Sequence, residues 1–162
     1  RPIHVFLART LLEFCIYSVI FLCVMILVGW FVGYDVFPRD FLAAFGCVIL
    51  MVLSGFSIGV IFAIITHFVE PLKIFLTYII TALYLLSCVV FPIWIIPTTL
   101  LEYFLYNPML HICESLKYYY FDSYPLVDGI NLIYPIVFNI IMLFIGFWFY
   151  YYKRRELVAS RP

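Results

Sequence analysis

The chain is 162 residues long, 67% hydrophobic, 22% aromatic and only 11% charged, with nine basic and nine acidic residues that cancel. A mean hydropathy of +1.16 excludes an ordinary soluble domain, which must cover its surface with polar groups. A nucleic-acid partner has no basic patch to meet, because Lys153–Arg155 is the usual basic flank of a membrane helix.

The first residues, Arg-Pro, carry no initiator methionine or leader, so a fragment of a longer polypeptide is expected. Residues 1–13 read as a cytoplasmic segment, with Arg9 and Glu13 spaced as an i,i+4 pair. Uncharged runs follow at Phe14–Tyr34, Phe41–Val69 (counting His67 as neutral), Ile74–Leu101 and Gly129–Tyr152. A helix crosses the hydrocarbon with about 20 apolar residues, and these runs do not alternate as barrel strands would. They predict an all-α membrane protein with four transmembrane helices, near 14–34, 41–66, 73–97 and 129–152.

An even number of crossings puts both ends on one side. Arg1, Arg9, Lys73, Lys153, Arg154, Arg155 and Arg161 lie there, against Arg39 and Lys117 opposite, so the termini are expected in the cytoplasm. Asp35–Asp40 reads as a tight outer turn and Thr66–Lys73 as a short inner one, with Pro71 opening the third helix. Residues 98–128 form the long outer connection, yet they are not hydrophilic. After Pro97 come threonines fit to cap a helix, and Asn107-Pro108 opens another. Both helices are too short to span, so they read as re-entrant or interfacial. Residues 153–162 are a cytoplasmic tail. Gly29 with Gly33, and Gly55 with Gly59, permit close helix approach.

Of five cysteines, Cys15, Cys23, Cys47 and Cys88 fall in spans as small packing residues, and Cys113 has no evident mate. The stretch NPMLHICESLK concentrates chemistry: His111, Glu114 and Lys117 recur every third residue and share one broad helix face, with Ile112 and Leu116 on another. Three readings are open. The face meets water on an interfacial helix, forms a functional polar cluster at the mouth of a pathway, or builds a metal or catalytic site. Against the last, no HExxH, GxSxG, P-loop or dinucleotide fingerprint occurs. The spans hold no Asp, Glu, Lys or Arg deep in the hydrocarbon, so any energy source lies outside this chain.

The order of features resembles the membrane subunit of ABC-2 type exporters, specifically the capsular polysaccharide export permease family. The resemblance rests on Arg9–Phe14 leading into a span, the Pro38 turn, Glu70–Phe75, Ser87, Pro97 and the NPMLHICESLK stretch before a final span and basic tail. Pro108, His111 and Glu114 match the family's Pro-His-Glu-Arg series, with Lys117 replacing the arginine; Ser87-Cys88 stands where the family has Ser-Gly. Family members have six membrane helices, which implies that this chain, residues 1–162, is one transmembrane domain lacking its first two spans.

The resemblance implies an inner-membrane permease, not an enzyme, that moves lipid-linked polysaccharide. It would work as two copies with two ATP-binding cassette subunits, which would carry the ATP and magnesium, and an export adaptor on the periplasmic side as a further partner. No cofactor or metal is expected on this chain. Pro108, His111, Glu114 and Lys117 would form an outer gate. Arg1, His4, Arg9, His67, Glu70 and Lys73 would contact the ATPase, and Tyr78, Tyr84 and Trp94 would stack on sugars. A lipid- or glycan-modifying membrane enzyme using His111 as base, a scaffold protein and an exporter of another substrate are the alternatives.

Overall fold

The computed structural model describes residues 2–33 and 37–159 of the chain. Six α-helices and a 3₁₀ turn account for the regular structure among the described residues: α1 (Pro2–Val32), α2 (Phe41–Phe68), α3 (Leu72–Leu85), the turn Ile93–Ile95, α4 (Thr98–Phe104), α5 (Pro108–Tyr120) and α6 (Ile133–Ala159). The chain divides into two compact units, residues 1–38 and 39–162.

The first unit is α1. The expected cytoplasmic segment and first span run together in one unbroken helix: Pro2 stands at its first position, where no N–H is needed, and residues 3–13 hold no proline or glycine that would stop it. Arg9 Nε donates to Glu13 Oε1 at 3.0 Å, as the spacing predicts. Gly33 ends the helix with φ +68° and donates its N–H to the Gly29 carbonyl. The terminal position needs a left-handed residue, so Gly33 serves termination as well as small size.

In the second unit, α2 packs against α6, α5 and α3, and α5 against α6. The helices α2 and α6 run parallel. Asn139 of α6 lies beside Leu50 and Ser54 of α2, Gly146 lies against Val60, and Lys153 sits over the Phe68 ring. A small polar network joins the two helices. Asn139 Nδ2 donates to Ser54 Oγ at 2.7 Å, and the Ser57 hydroxyl faces both the Ser54 carbonyl and Asn139 Oδ1. Each side chain also has a partner on its own helix or across the seam, so nothing polar is stranded where water is excluded.

Among the described residues, three helices are long and apolar enough to cross a membrane: Leu7–Phe31, Phe41–Phe68 and Ile133–Lys153. The predicted third span, 73–97, is not one helix. It is helical for 14 residues, Leu72–Leu85, about 21 Å against the ~30 Å of hydrocarbon. Three local features stop it. The Leu86, Ser87 and Cys88 amides bond back to Ala82, Tyr84 and Leu85, tightening the last turn. Cys88 then takes φ +54°, and Pro92 and Pro97 hold the following chain extended around the 3₁₀ turn. The final helix also differs from expectation, starting at Ile133 instead of 129 and continuing through Lys153 to Ala159, so most of the expected tail is helical. The turn at 35–40 is described only from Phe37.

Gly146 and Gly55 separate two uses of glycine. A Cβ on Gly146 would sit 3.2 Å from Val60 Cγ1, while one on Gly55 would meet nothing within 4 Å. Gly146→Leu should therefore destabilise the α2–α6 pair by about 1–3 kcal/mol through overpacking. Gly55→Ala should be neutral or gain up to about 1 kcal/mol of helix propensity. Thermal unfolding in lipid nanodiscs distinguishes the pair; equal effects would show that Gly146 is not a close-approach point.

Candidate functional site

The two short helices predicted between residues 98 and 128 are present as α4 and α5. At α4 the cap position is Pro97 with no side-chain cap bond, so the threonines open the helix without capping it. At α5 the expectation holds. Asn107 is the cap, its Oδ1 accepting the Met109 N–H at 3.0 Å, and Pro108 occupies the first helical position, where no N–H is needed.

Asn107 has a second task. Its Nδ2 donates to the Leu83 carbonyl at 3.0 Å and to Ser87 Oγ at 3.1 Å, while Ser87 Oγ itself donates to Leu83. The start of α5 thus caps the broken end of α3. Cys88, Ile93 and Leu110 are buried beneath this joint, with Phe91, Phe104 and Ile130 packed around them.

His111 and Glu114 on the polar face of α5 turn into the protein and not toward water. His111 is 4% exposed and Glu114 2%, and every residue from Leu110 to Ser115 is buried. His111 Nε2 donates to the Leu105 carbonyl at 2.8 Å, and Nδ1 accepts the Asn131 N–H at 3.1 Å. An acceptor bond at Nδ1 leaves the proton on Nε2, so the ring is held neutral in that tautomer. Its one lone pair is spent on the main chain, leaving none for a metal or for a proton from substrate.

Glu114 is satisfied at both oxygens. Lys117 Nζ donates to Oε1 at 2.7 Å and to the Cys88 carbonyl at 2.6 Å, and the Tyr124 hydroxyl donates to Oε2 at 2.6 Å. Burial, then this bond and the carboxylate's charge, push the Tyr124 phenol well above its usual range, so it stays a donor. Burial likewise pushes the Cys113 thiol up to about 11, which keeps it un-ionised and inert. No group of three or more His, Cys, Asp or Glu that could hold a metal ion occurs among the described residues.

Cys88 holds a left-handed backbone, which glycine adopts more readily than a residue with a side chain. A side chain there costs roughly 1–2 kcal/mol relative to a right-handed backbone. The conformation aims the Cys88 carbonyl at Lys117, whose ammonium takes carboxylate and carbonyl at once.

Of the other predicted site residues, Trp94 touches this cluster through the Tyr124 ring. His4 and Arg9 lie on α1, His67 on the last turn of α2 with its ring edge-on to Phe68, and Glu70 and Lys73 around the start of α3; Arg1 lies outside the described residues. Tyr78 and Tyr84 are exposed along α3. Trp94, predicted on the same span, sits instead in the 3₁₀ turn, its ring 5.2 Å from that of Tyr124. Sequence reasoning missed Asn107 as a bridge, and also Ser87, Tyr124 and Asn131. Only Asn107 and Ser87 carried a signal, as polar residues bracketing an apolar run.

A buried carboxylate is costly once its cation is removed. Lys117→Met should destabilise by about 3 kcal/mol, and adding Glu114→Gln should recover much of that loss. Unfolding midpoints of the single and double variants test this; strictly additive losses would show that the two side chains do not interact.

A family model described as ABC-2 type transporter matches residues 1–121. Two Escherichia coli proteins, each called Polysialic acid transport protein KpsM, are 29% and 28% identical to the chain over 160 residues. Those matches cover 99% of this chain and 61% of each relative, so the chain spans less than two thirds of their length. With well over half of its residues inside the family match, including α1 to α5 and the whole Pro108–Lys117 series, the chain belongs to the ABC-2 type transporter family.

Proposed function

We propose that this chain is part of the permease subunit of an ATP-driven exporter that moves lipid-linked capsular polysaccharide across the bacterial cytoplasmic membrane. The observation that carries the reading is similarity along 99% of the chain to proteins called Polysialic acid transport protein. The site chemistry agrees with it. The buried cluster of ionisable residues on α5 is internally satisfied, with no spare base, nucleophile or open metal position, as suits structure at a pathway and not catalysis.

The parallel course of α2 and α6 supports a fourth crossing. The chain leaves α2 at Phe68 and must enter α6 beside the opposite end of α2, so residues 69–132 traverse the layer once in net. In this reading α3 covers part of the depth and the Cys88–Pro97 segment the rest, with α4 and α5 folded back at the outer face. Lys73 and Lys153 then mark the cytoplasmic side, where both ends of the chain lie. Two permease copies would form the path, and two separate ATP-binding cassette subunits would bind ATP and magnesium. His4, Arg9, His67, Glu70 and Lys73 are the proposed ATPase-facing residues, together with Arg1. Tyr78, Tyr84 and Trp94 are the proposed sugar-stacking rings, and a periplasmic adaptor would receive the polymer. Pro108, His111, Glu114 and Lys117 would hold the outer gate in shape.

His111→Ala or Glu114→Ala should lower surface polysaccharide severalfold while leaving membrane insertion intact. The complete permease, reconstituted with its ATPase, should move acidic glycan only when ATP is hydrolysed. Modification of glycan by the purified permease alone would instead favour a membrane enzyme, and wild-type export from both variants would remove the gate assignment.

A further inference from the structure

His111 joins three pieces of main chain through one ring. Its Nε2–H reaches the Leu105 carbonyl just after α4, its own backbone lies in α5, and its Nδ1 accepts the Asn131 N–H just ahead of α6. Asn131 in turn holds the first turn of α6, its Oδ1 accepting the Ile133 N–H at 2.8 Å. The ring edge also meets Tyr134 of α6 with centroids 5.1 Å apart, and the Tyr134 hydroxyl donates to the Tyr106 carbonyl.

The joint works only with a neutral ring. A proton added at Nδ1 would place two donors, the imidazolium N–H and the Asn131 N–H, face to face. The bond between them must break, and a buried cation is left to find a partner. The groups around it offer little. On α5, Glu114 is one turn away with both oxygens already taken by Lys117 and Tyr124, and Lys117 is itself a cation. On α4, Glu102 is exposed; in the connection to α6, Asp122 and Asp128 are exposed. From α6 comes the uncharged Tyr134 ring, while Arg39 and Asp40 of the α2 end meet the far end of α5. Cys113, two residues on, is a neutral buried thiol.

We propose that His111 is a proton-sensitive pin: the joint between α4, α5 and α6 is closed at neutral pH and released in mild acid. The closed joint binds one proton fewer than the open one, so its stability is present near neutrality and is lost as pH falls. Release would free the Asn131 amide and the start of α6 while the Glu114–Lys117–Cys88 contacts stay in place. The short helices could then swing without unfolding. The device belongs to this chain and does not depend on what is transported.

Hydrogen exchange of the full chain in lipid nanodiscs tests it, with labelling times scaled for the intrinsic pH dependence of exchange. From about pH 7.5 to about pH 5.5, peptides covering residues 105–107 and 129–134 should exchange about tenfold faster, while α2 should not change. His111→Gln, which offers a donor and an acceptor but cannot gain a proton, should be flat over the same interval. Unchanged wild-type exchange, or the same acid response in His111→Gln, would overturn the proposal. Should that variant not fold, His4→Gln/His67→Gln leaves His111 as the sole histidine for ¹⁵N-NMR. The ring should then show the neutral Nε2–H form at neutral pH and the doubly protonated form in acid; a ring that stays neutral until the protein unfolds would equally sink the idea.

Discussion

Main-chain carbonyls released by a helix that stops early set the terms for the rest of this structure. In an environment without water, each such group needs a donor or the fold loses several kcal/mol. The second unit answers with side chains from one short helix and its cap. Asn107 serves Leu83, His111 serves Leu105 and Lys117 serves Cys88, while Tyr134 reaches back from α6 to Tyr106. Every one of these is a polar side chain donating to a main-chain carbonyl at or just beyond the end of a helix. Asn107 and Lys117 thus answer to where α3 ends, and His111 to where α4 ends.

This view also explains why the cluster holds a carboxylate. An ammonium placed at the Cys88 carbonyl would be a half-buried cation without compensation, and Glu114 neutralises it from the same helix face. Tyr124 completes the carboxylate from the following loop, so a loop residue far from the motif shares its fate. The pair is neutral as a unit, and it holds no group in reserve for chemistry.

Much of the architecture was legible in the sequence, because hydropathy and charge report the long helices directly. The spans at α1, α2 and α6, the Asn107-Pro108 helix start and the Arg9–Glu13 pair follow from local pattern. The end of α3 was not legible. The uncharged run continues to Leu101, and apolarity alone cannot say that Leu83 is capped from position 107. The spacing of His111, Glu114 and Lys117 placed them correctly on one face but could not say which way that face looks. Spacing fixes an angle around the axis; what surrounds the helix is decided by α2 and α6, which are distant in the chain. The partners of His111 at Leu105 and Asn131 are backbone groups, which have no signature in side-chain identity.

One contact at the far end of α5 carries a mechanical meaning. The Arg39 and Asp40 amides, at the mouth of α2, donate to the Tyr120 and Tyr119 carbonyls that close α5. The unpaired carbonyl end of one helix is thereby plugged into the unpaired amide end of another, with their partial charges opposed. The short helix is a crank keyed to the shaft of α2 at one end and to the stump of α3 at the other. A rock of the long helix about its base is thus carried to residues lying far from it along the chain.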